Sequence, residues 1–313
     1  MKHIRNINMG STLNFASALT MAVALTLSFV SCSNETEPSI NPGNAKEIPM
    51  TFEATYPGIS NRATEDGFEE NDKKGLYVAS SDEPLEIGGN LVNNEPLTFD
   101  GNNWTATRTL YWDEGTYNAY AYYPYIKGIS SIEDQPFSVS LDQSTARTAE
   151  KLGGYEASDL LFATHKGITA SASPVNLTFK HIMSKLTIRL IKGEDFEGDM
   201  PTDATVYIHN TIPTATIDLQ AGVATRNMRG SRETIIAHHD FSTIYSAIIV
   251  PQRIENRMPL IEVEMKGVSY LFESKFQFKA GTEHLVNLII SDNPDKVKID
   301  VGGEVQGWNE SNK

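Results

Sequence analysis

One cysteine, Cys32, is all that 313 residues contain, so no disulfide can form within the chain. Positive charge is also scarce: 26 Lys and Arg stand against 40 Asp and Glu, a formal charge of −14. The basic footprint that nucleic-acid phosphates or anionic lipid headgroups require is therefore missing, and no nucleic-acid partner is expected. Long apolar runs are confined to one stretch, Phe15 to Val30. That stretch falls short of the roughly 20 residues of a spanning helix, and nothing downstream approaches that length. Catalytic signatures are lacking too. There is no Gly-x-Ser-x-Gly elbow, no phosphate-binding glycine loop and no His-Glu-x-x-His. His165, His181, His209 and His284 stand singly among strand and turn patterns. In His238-His239-Asp240, adjacent imidazoles on a strand point to opposite faces and do not converge on one ion. These residues lead us to expect no enzyme, no metal and no cofactor.

The N-terminus carries a secretory pattern. Lys2 and Arg5 precede the apolar stretch, which closes in Leu27-Ser28-Phe29-Val30-Ser31-Cys32. A small residue directly before a lone cysteine resembles a lipobox, in which the thiol takes a diacylglycerol and Cys32 becomes the new N-terminus. An ordinary signal peptide with an incidental cysteine and an uncleaved anchor are the other two readings. From Ser33 to Asn44 the chain is rich in Pro, Ser, Asn and Glu and buries too little apolar surface to fold, as expected of a tether. Removing residues 1–31 takes two basic and no acidic residues, leaving 282 residues with a formal charge of −16.

Beyond the tether, period-2 alternation dominates. Ile48, Met50, Phe52, Ala54 and Tyr56 share one face of a first strand, with Thr51, Glu53 and Thr55 on the other. Tyr117, Ala119, Ala121 and Tyr123 alternate with Asn118, Tyr120 and Tyr122, and Leu186, Ile188 and Leu190 with Lys185, Thr187 and Arg189. Such strands, separated by Gly, Pro, Asn and Asp clusters, indicate an all-β protein of sandwich or barrel type. Phe272 to Ile290 reads as a hairpin around Lys279-Ala280-Gly281-Thr282, and a short helix is expected near Thr145 to Leu152. The small, polar segment Gly167 to Pro174 marks a domain boundary. The organisation expected is a signal peptide over 1–31, a tether over 32–47, an N-terminal domain over 48–170 and a C-terminal domain over 171–313. The aromatic run Tyr117 to Tyr125 has two readings, a sandwich core or a sugar-stacking platform.

The combination of lipobox, early strand, Asn61-Arg62-Ala63-Thr64, Phe68 and Asp72-Lys73-Lys74-Gly75-Leu76-Tyr77-Val78 resembles the fimbrillin (FimA-like, Mfa-like) proteins of Bacteroides-type bacteria. Ser158 to Ala163, Val175 to Lys192, Ala247 to Gln252, the Phe278-Lys279-Ala280-Gly281 turn and terminal Gly307-Trp308-Asn309 fit the same family. The resemblance covers nearly the whole mature chain. It implies two β-sandwich domains of transthyretin-like topology and a pilus or adhesion role at the outer membrane. It further implies cleavage between Arg62 and Ala63, loss of the strand Ile48 to Tyr56, and refilling of the vacated groove by a strand from a neighbouring subunit. Partners would be other fimbrial subunits, the outer membrane through lipid on Cys32, and host or bacterial surface ligands. Val297, Ile299 and Val301 alternate with Lys298 and Asp300 and form either a donor strand or an ordinary last strand. Arg62 is either a processing site or a solvated loop charge. The rival reading from another class is a surface glycan-binding lipoprotein that stays monomeric.

Overall fold

The computed structural model describes residues 47–55, 67–294 and 298–306. Cys32, Tyr56, Arg62, Ala63 and Val297 lie outside the described residues. β-branched and aromatic residues at alternate positions suit a pleated, half-buried surface, and nearly every described element is a strand. The first half supplies β1 (Ile48–Pro49), β2 (Phe52–Thr55), β3 (Lys73–Ser80), β4 (Val92–Phe99), β5 (Trp104–Ala106) and β6 (Tyr111–Trp112). It continues with β7 (Thr116–Tyr123), β8 (Gln135–Ser138), the helix α1 (Gly154–Ser158), β9 (Leu161–Thr169), β10 (Val175–Thr178) and β11 (Lys180–His181). The second half supplies β12 (Ser184–Lys192), β13 (Thr205–Thr211), β14 (Thr214–Asp218), β15 (Val223–Arg226), β16 (Glu233–Ile236) and β17 (His238–Phe241). After these come β18 (Ile244–Ile249), β19 (Gln252–Met265), β20 (Val268–Phe278), β21 (Thr282–Ile290) and β22 (Lys298–Gln306).

A six-stranded sheet in the order β11-β9-β7-β3-β4-β5 organises the first half. Both its faces are buried, because its central strand β7 carries two apolar rows. Tyr117, Ala119, Ala121 and Tyr123 enter one core, while Tyr120 and Tyr122 enter the other. In the second half a five-stranded sheet, β17-β18-β12-β21-β22, and a four-stranded sheet, β16-β13-β19-β20, enclose a core between them. Leu186, Ile188, Val286 and Leu288 come from the first of these, and Ile208, Ile261, Val263 and Phe272 from the second. That core is continuous with the outer face of the six-stranded sheet, where Tyr77, Tyr122 and Phe162 join it. A three-stranded sheet, β15-β14-β8, pairs a strand of each half. Buried Gln143 adds a second tie, its side chain donating to Ile248 O at 2.7 Å and accepting from Ile248 N at 2.8 Å.

Three expectations change. Strands β20 and β21 are consecutive but do not pair: β20 pairs with β19, and β21 with β12 and β22. The segment Phe272 to Ile290 is thus an arch between two sheets, since an arch and a hairpin carry the same alternation. The short helix lies at Gly154–Ser158 rather than at 145–152. Gly153 and Gly154 sit so close to the backbone of Thr145 and Asp142 that any side chain there would collide, which fixes the turn before it. The core of the first half also runs past residue 170: Val175, Leu177 and Phe179 belong to it.

Candidate functional site

The first strand is built into the first core. Ile48 and Pro49 pair antiparallel with Trp112 and Tyr111. Phe52 to Thr55 pair in parallel with Val175 to Thr178, in the register Phe52↔Val175 and Ala54↔Leu177. Between the two short strands, Met50 N donates to Leu110 O at 2.8 Å. Val175 N donates to Thr51 O at 2.9 Å and Phe179 N to Thr55 O at 2.8 Å. Side chains follow the alternation. Met50 and Phe52 are buried, Ile48 and Ala54 are half-buried against the same core, and Thr51, Glu53 and Thr55 are exposed. The ring of Phe52 packs on Trp112 with centroids 6.2 Å apart, and Trp112 packs on Tyr117 at 5.7 Å. On the exposed side, Thr55 Oγ1 donates to Asn176 Oδ1 at 2.9 Å. The first strand therefore closes a groove whose floor is the inner face of the six-stranded sheet.

At the Thr55 end, the groove is lined by aromatics. Phe68 contacts Trp104, Tyr123 and Phe179 edge-on, with centroid distances of 4.7, 5.3 and 5.8 Å. Beside them, buried Asp72 is fully engaged. It accepts from Arg147 at 2.8 Å, Tyr123 Oη at 3.3 Å and Glu69 N at 2.9 Å. Burial, then the charge of Asp72, pushes the Tyr123 phenol well above its ordinary pKa.

Lys74 is the residue that composition-level reading missed. It is fully buried, and among the described residues its ammonium has no hydrogen-bond partner. Its Nζ lies 4.2 Å from the ring centroid of Trp104 and 5.4 Å from that of Phe179, so among the described residues aromatic faces are its counterweight. Alternation held the signal: Lys74 falls in step with Leu76 and Val78, both in this core. Burial holds its pKa well below the ordinary 10.5. The unfolded chain thus binds more protons between that depressed value and 10.5, and stability must rise with pH across this window. Replacing Lys74 by Met is expected to stabilise the protein by about 1–3 kcal/mol near neutral pH. It should also flatten the alkaline rise. Denaturant titrations at about pH 7 and about pH 10 measure both effects; an unchanged slope contradicts them.

Other candidate residues lie elsewhere. Strand β22, which carries Ile299 and Val301, pairs antiparallel with β21 at the edge of the five-stranded sheet, with Ile299 opposite Leu288 and Val301 opposite Val286. The described part of the C-terminal segment is thus the last strand of its own sheet, and Ile299 packs on the second core. Tyr117, Tyr120, Tyr122 and Tyr123 are all buried and serve the two cores, while Tyr125 at the end of the run is half-buried. His238 lies against Tyr155 and His239 against Tyr245. Among the described residues, no group of three or more His, Cys, Asp and Glu side chains could hold a metal ion. No helix among them is long and apolar enough to cross a membrane. What the groove offers is backbone pairing and apolar pockets.

A fimbrillin-like family model matches residues 61–308, beginning just past the first strand. A candidate fimbrium tip subunit of Bacteroides ovatus, Fim1C, is 25% identical over 211 residues, 61% of this chain. The chain spans 38% of the length of that relative. Two solved structures share the fold. A candidate cell adhesion protein from Bacteroides uniformis has a TM-score of 0.62 and 22% identity, with 83% of this chain and 98% of that one covered. Another, from Bacteroides ovatus, has a TM-score of 0.63 and 18% identity, covering 84% and 98%.

Proposed function

The chain belongs to the fimbrillin-like family, and from that premise we propose that it is a fimbrial subunit or fimbrillin-like cell-surface adhesin with a structural rather than a catalytic role. Cys32 carries the lipid that delivers the precursor to the outer membrane. An arginine-specific protease cuts between Arg62 and Ala63, the first strand leaves with the lipid, and a strand of another subunit takes its place. One observation carries this reading. The first strand supplies Met50 and Phe52 to a core whose other walls come from residues beyond Arg62. Such a segment is separable by one cut, and its departure leaves unpaired backbone and apolar pockets together, which is the surface that strand addition uses. Partners are accordingly other fimbrial subunits, with host or bacterial surface ligands for an adhesive member.

Immunogold labelling of producing cells tests the role. Label is expected on filaments outside the cell, and on the outer membrane when Arg62 is replaced by Ala. Label confined to the cell surface in both cases, with no filament association, sinks the subunit role and favours a membrane-bound monomer.

A further inference from the structure

The connection between β15 and β16 concentrates a charge that the rest of the chain has little of. Three of the ten arginines, Arg226, Arg229 and Arg232, fall within seven residues of a chain whose formal charge is −14. Arg229 and Arg232 are exposed and Arg226 is half-buried. Between the first two stands Met228, at 77% the most exposed large apolar side chain among the described residues. Among those residues none of the three guanidiniums meets a carboxylate. Arg226 Nη2 lies 3.3 Å from Met228 Sδ, and Arg232 Nη1 lies 2.9 Å from Met258 Sδ. The loop is a fixed turn. Asn227 N donates to Thr214 O at 2.9 Å, Arg229 N to Asn227 Oδ1 at 3.0 Å and Gly230 N to Asn227 O at 3.1 Å. A side chain at Gly230 would collide with Ile212 and Thr214. Little ordering cost is therefore left for a partner to meet.

A surface of opposite sign lies at the other end of β15. Leu85 N donates at 3.3 Å to the side chain of Gln220, which sits in the turn that opens this strand. There the connection between β3 and β4 meets the turn before β7, around a cleft of about 520 Å³ lined by Glu83, Glu86, Asn90, Asp113 and Tyr117. Residues 80–91 and 113–117 contain five acids and no Lys or Arg. Asn90 fixes one wall: its Nδ2 donates to Glu86 O at 2.7 Å, and its Oδ1 accepts from Glu86 N at 3.3 Å. Beside it Ile87 is 47% exposed.

Resting on the fimbrial-subunit reading above, we propose that the arginine loop of one copy docks on the acidic cleft of a second copy. Each guanidinium offers a planar fork that matches a carboxylate, and Met228 and Ile87 supply an apolar centre within the charged rim. Two different surfaces at opposite ends of one strand make a head-to-tail contact, which cannot close as a symmetric dimer and repeats from copy to copy. Exposed charges of this kind steer and orient an encounter more than they tighten it. The contact aligns neighbouring subunits, and strand replacement then locks them.

The test uses the intact precursor carrying Arg62→Ala, in which the first strand stays attached. Sedimentation equilibrium is expected to show association that extends past the dimer at about 50 mM salt and weakens at least about tenfold at about 500 mM, where surface charges are screened. Arg229→Glu with Arg232→Glu is expected to leave a monomer, and so, separately, is Glu83→Lys with Glu86→Lys. Mixing the two variants is expected to restore association. The arginine loop of the second then meets the acidic cleft of the first, and the two reversed surfaces also match. A monomeric parent, association that survives either pair of substitutions, or a mixture that stays monomeric overturns the proposal. A monomeric parent that is retained on a heparin column assigns the loop to a polyanionic glycan, which overturns it as well. The parent chain cut after Arg62 reports on strand replacement by its ladder on unheated gels, so either reading can fail without the other.

Discussion

Cutting the purified precursor after Arg62 is expected to turn a monomer into a ladder of multimers that survive denaturing gels without heating, while Arg62→Ala keeps it monomeric. The expectation follows from what the cut separates. Met50 and Phe52 each contribute about 1.5–3 kcal/mol of apolar burial to the first core. The bonds Met50 N to Leu110 O, Val175 N to Thr51 O and Phe179 N to Thr55 O add about 1 kcal/mol each. While the chain is continuous, the first strand is held at a high effective concentration and no free strand competes. Once cut, it is a dissociable peptide, and a strand from another subunit competes on equal terms. The vacated groove then presents a row of unpaired N–H and C=O groups, a template for pairing with another chain. Gel filtration and unheated gels before and after proteolysis read the result. Cleaved protein that stays monomeric contradicts strand replacement.

Phe52→Ala is expected to lower stability by about 3–5 kcal/mol and the melting temperature by on the order of 10 °C. Phe52 is buried against Trp112 and sits opposite Val175, so truncation removes a large buried ring from the core. Its neighbour Glu53 belongs to the same strand but faces solvent, and Glu53→Ala is expected to stay within about 0.5 kcal/mol of the parent. Differential scanning calorimetry on the two variants separates a built-in strand from a loosely laid one. Similar small effects at both positions would mean that the first strand does not complete the core.

The face of the first strand was legible in its alternation alone: Ile48, Met50, Phe52 and Ala54 all point into one core. Its partner was not. Thr55 and Asn176 are 121 residues apart, and a parallel pairing leaves no turn between the strands to mark it. The same limit explains the arch at Lys279 to Thr282, because a period of two states which face is buried but not which sheet the next strand joins. It explains the tyrosine run as well. Alternation puts Tyr120 and Tyr122 on the second face of β7 without saying what covers it; the six-stranded sheet buries both faces, a property of neighbouring layers rather than of the strand. Lys74 was half legible. Its parity placed it inward with Leu76, while Trp104 and Phe179, which surround it, arrive from remote parts of the chain.

Amide hydrogen exchange at Val175 and Phe179 tests the central claim most directly, since both amides donate to the first strand. The account predicts slow exchange in the intact precursor, fast exchange in the cleaved monomer, and slow exchange again once multimers form. Protection that persists in the cleaved monomer, or multimers in which these amides stay unprotected, would contradict it.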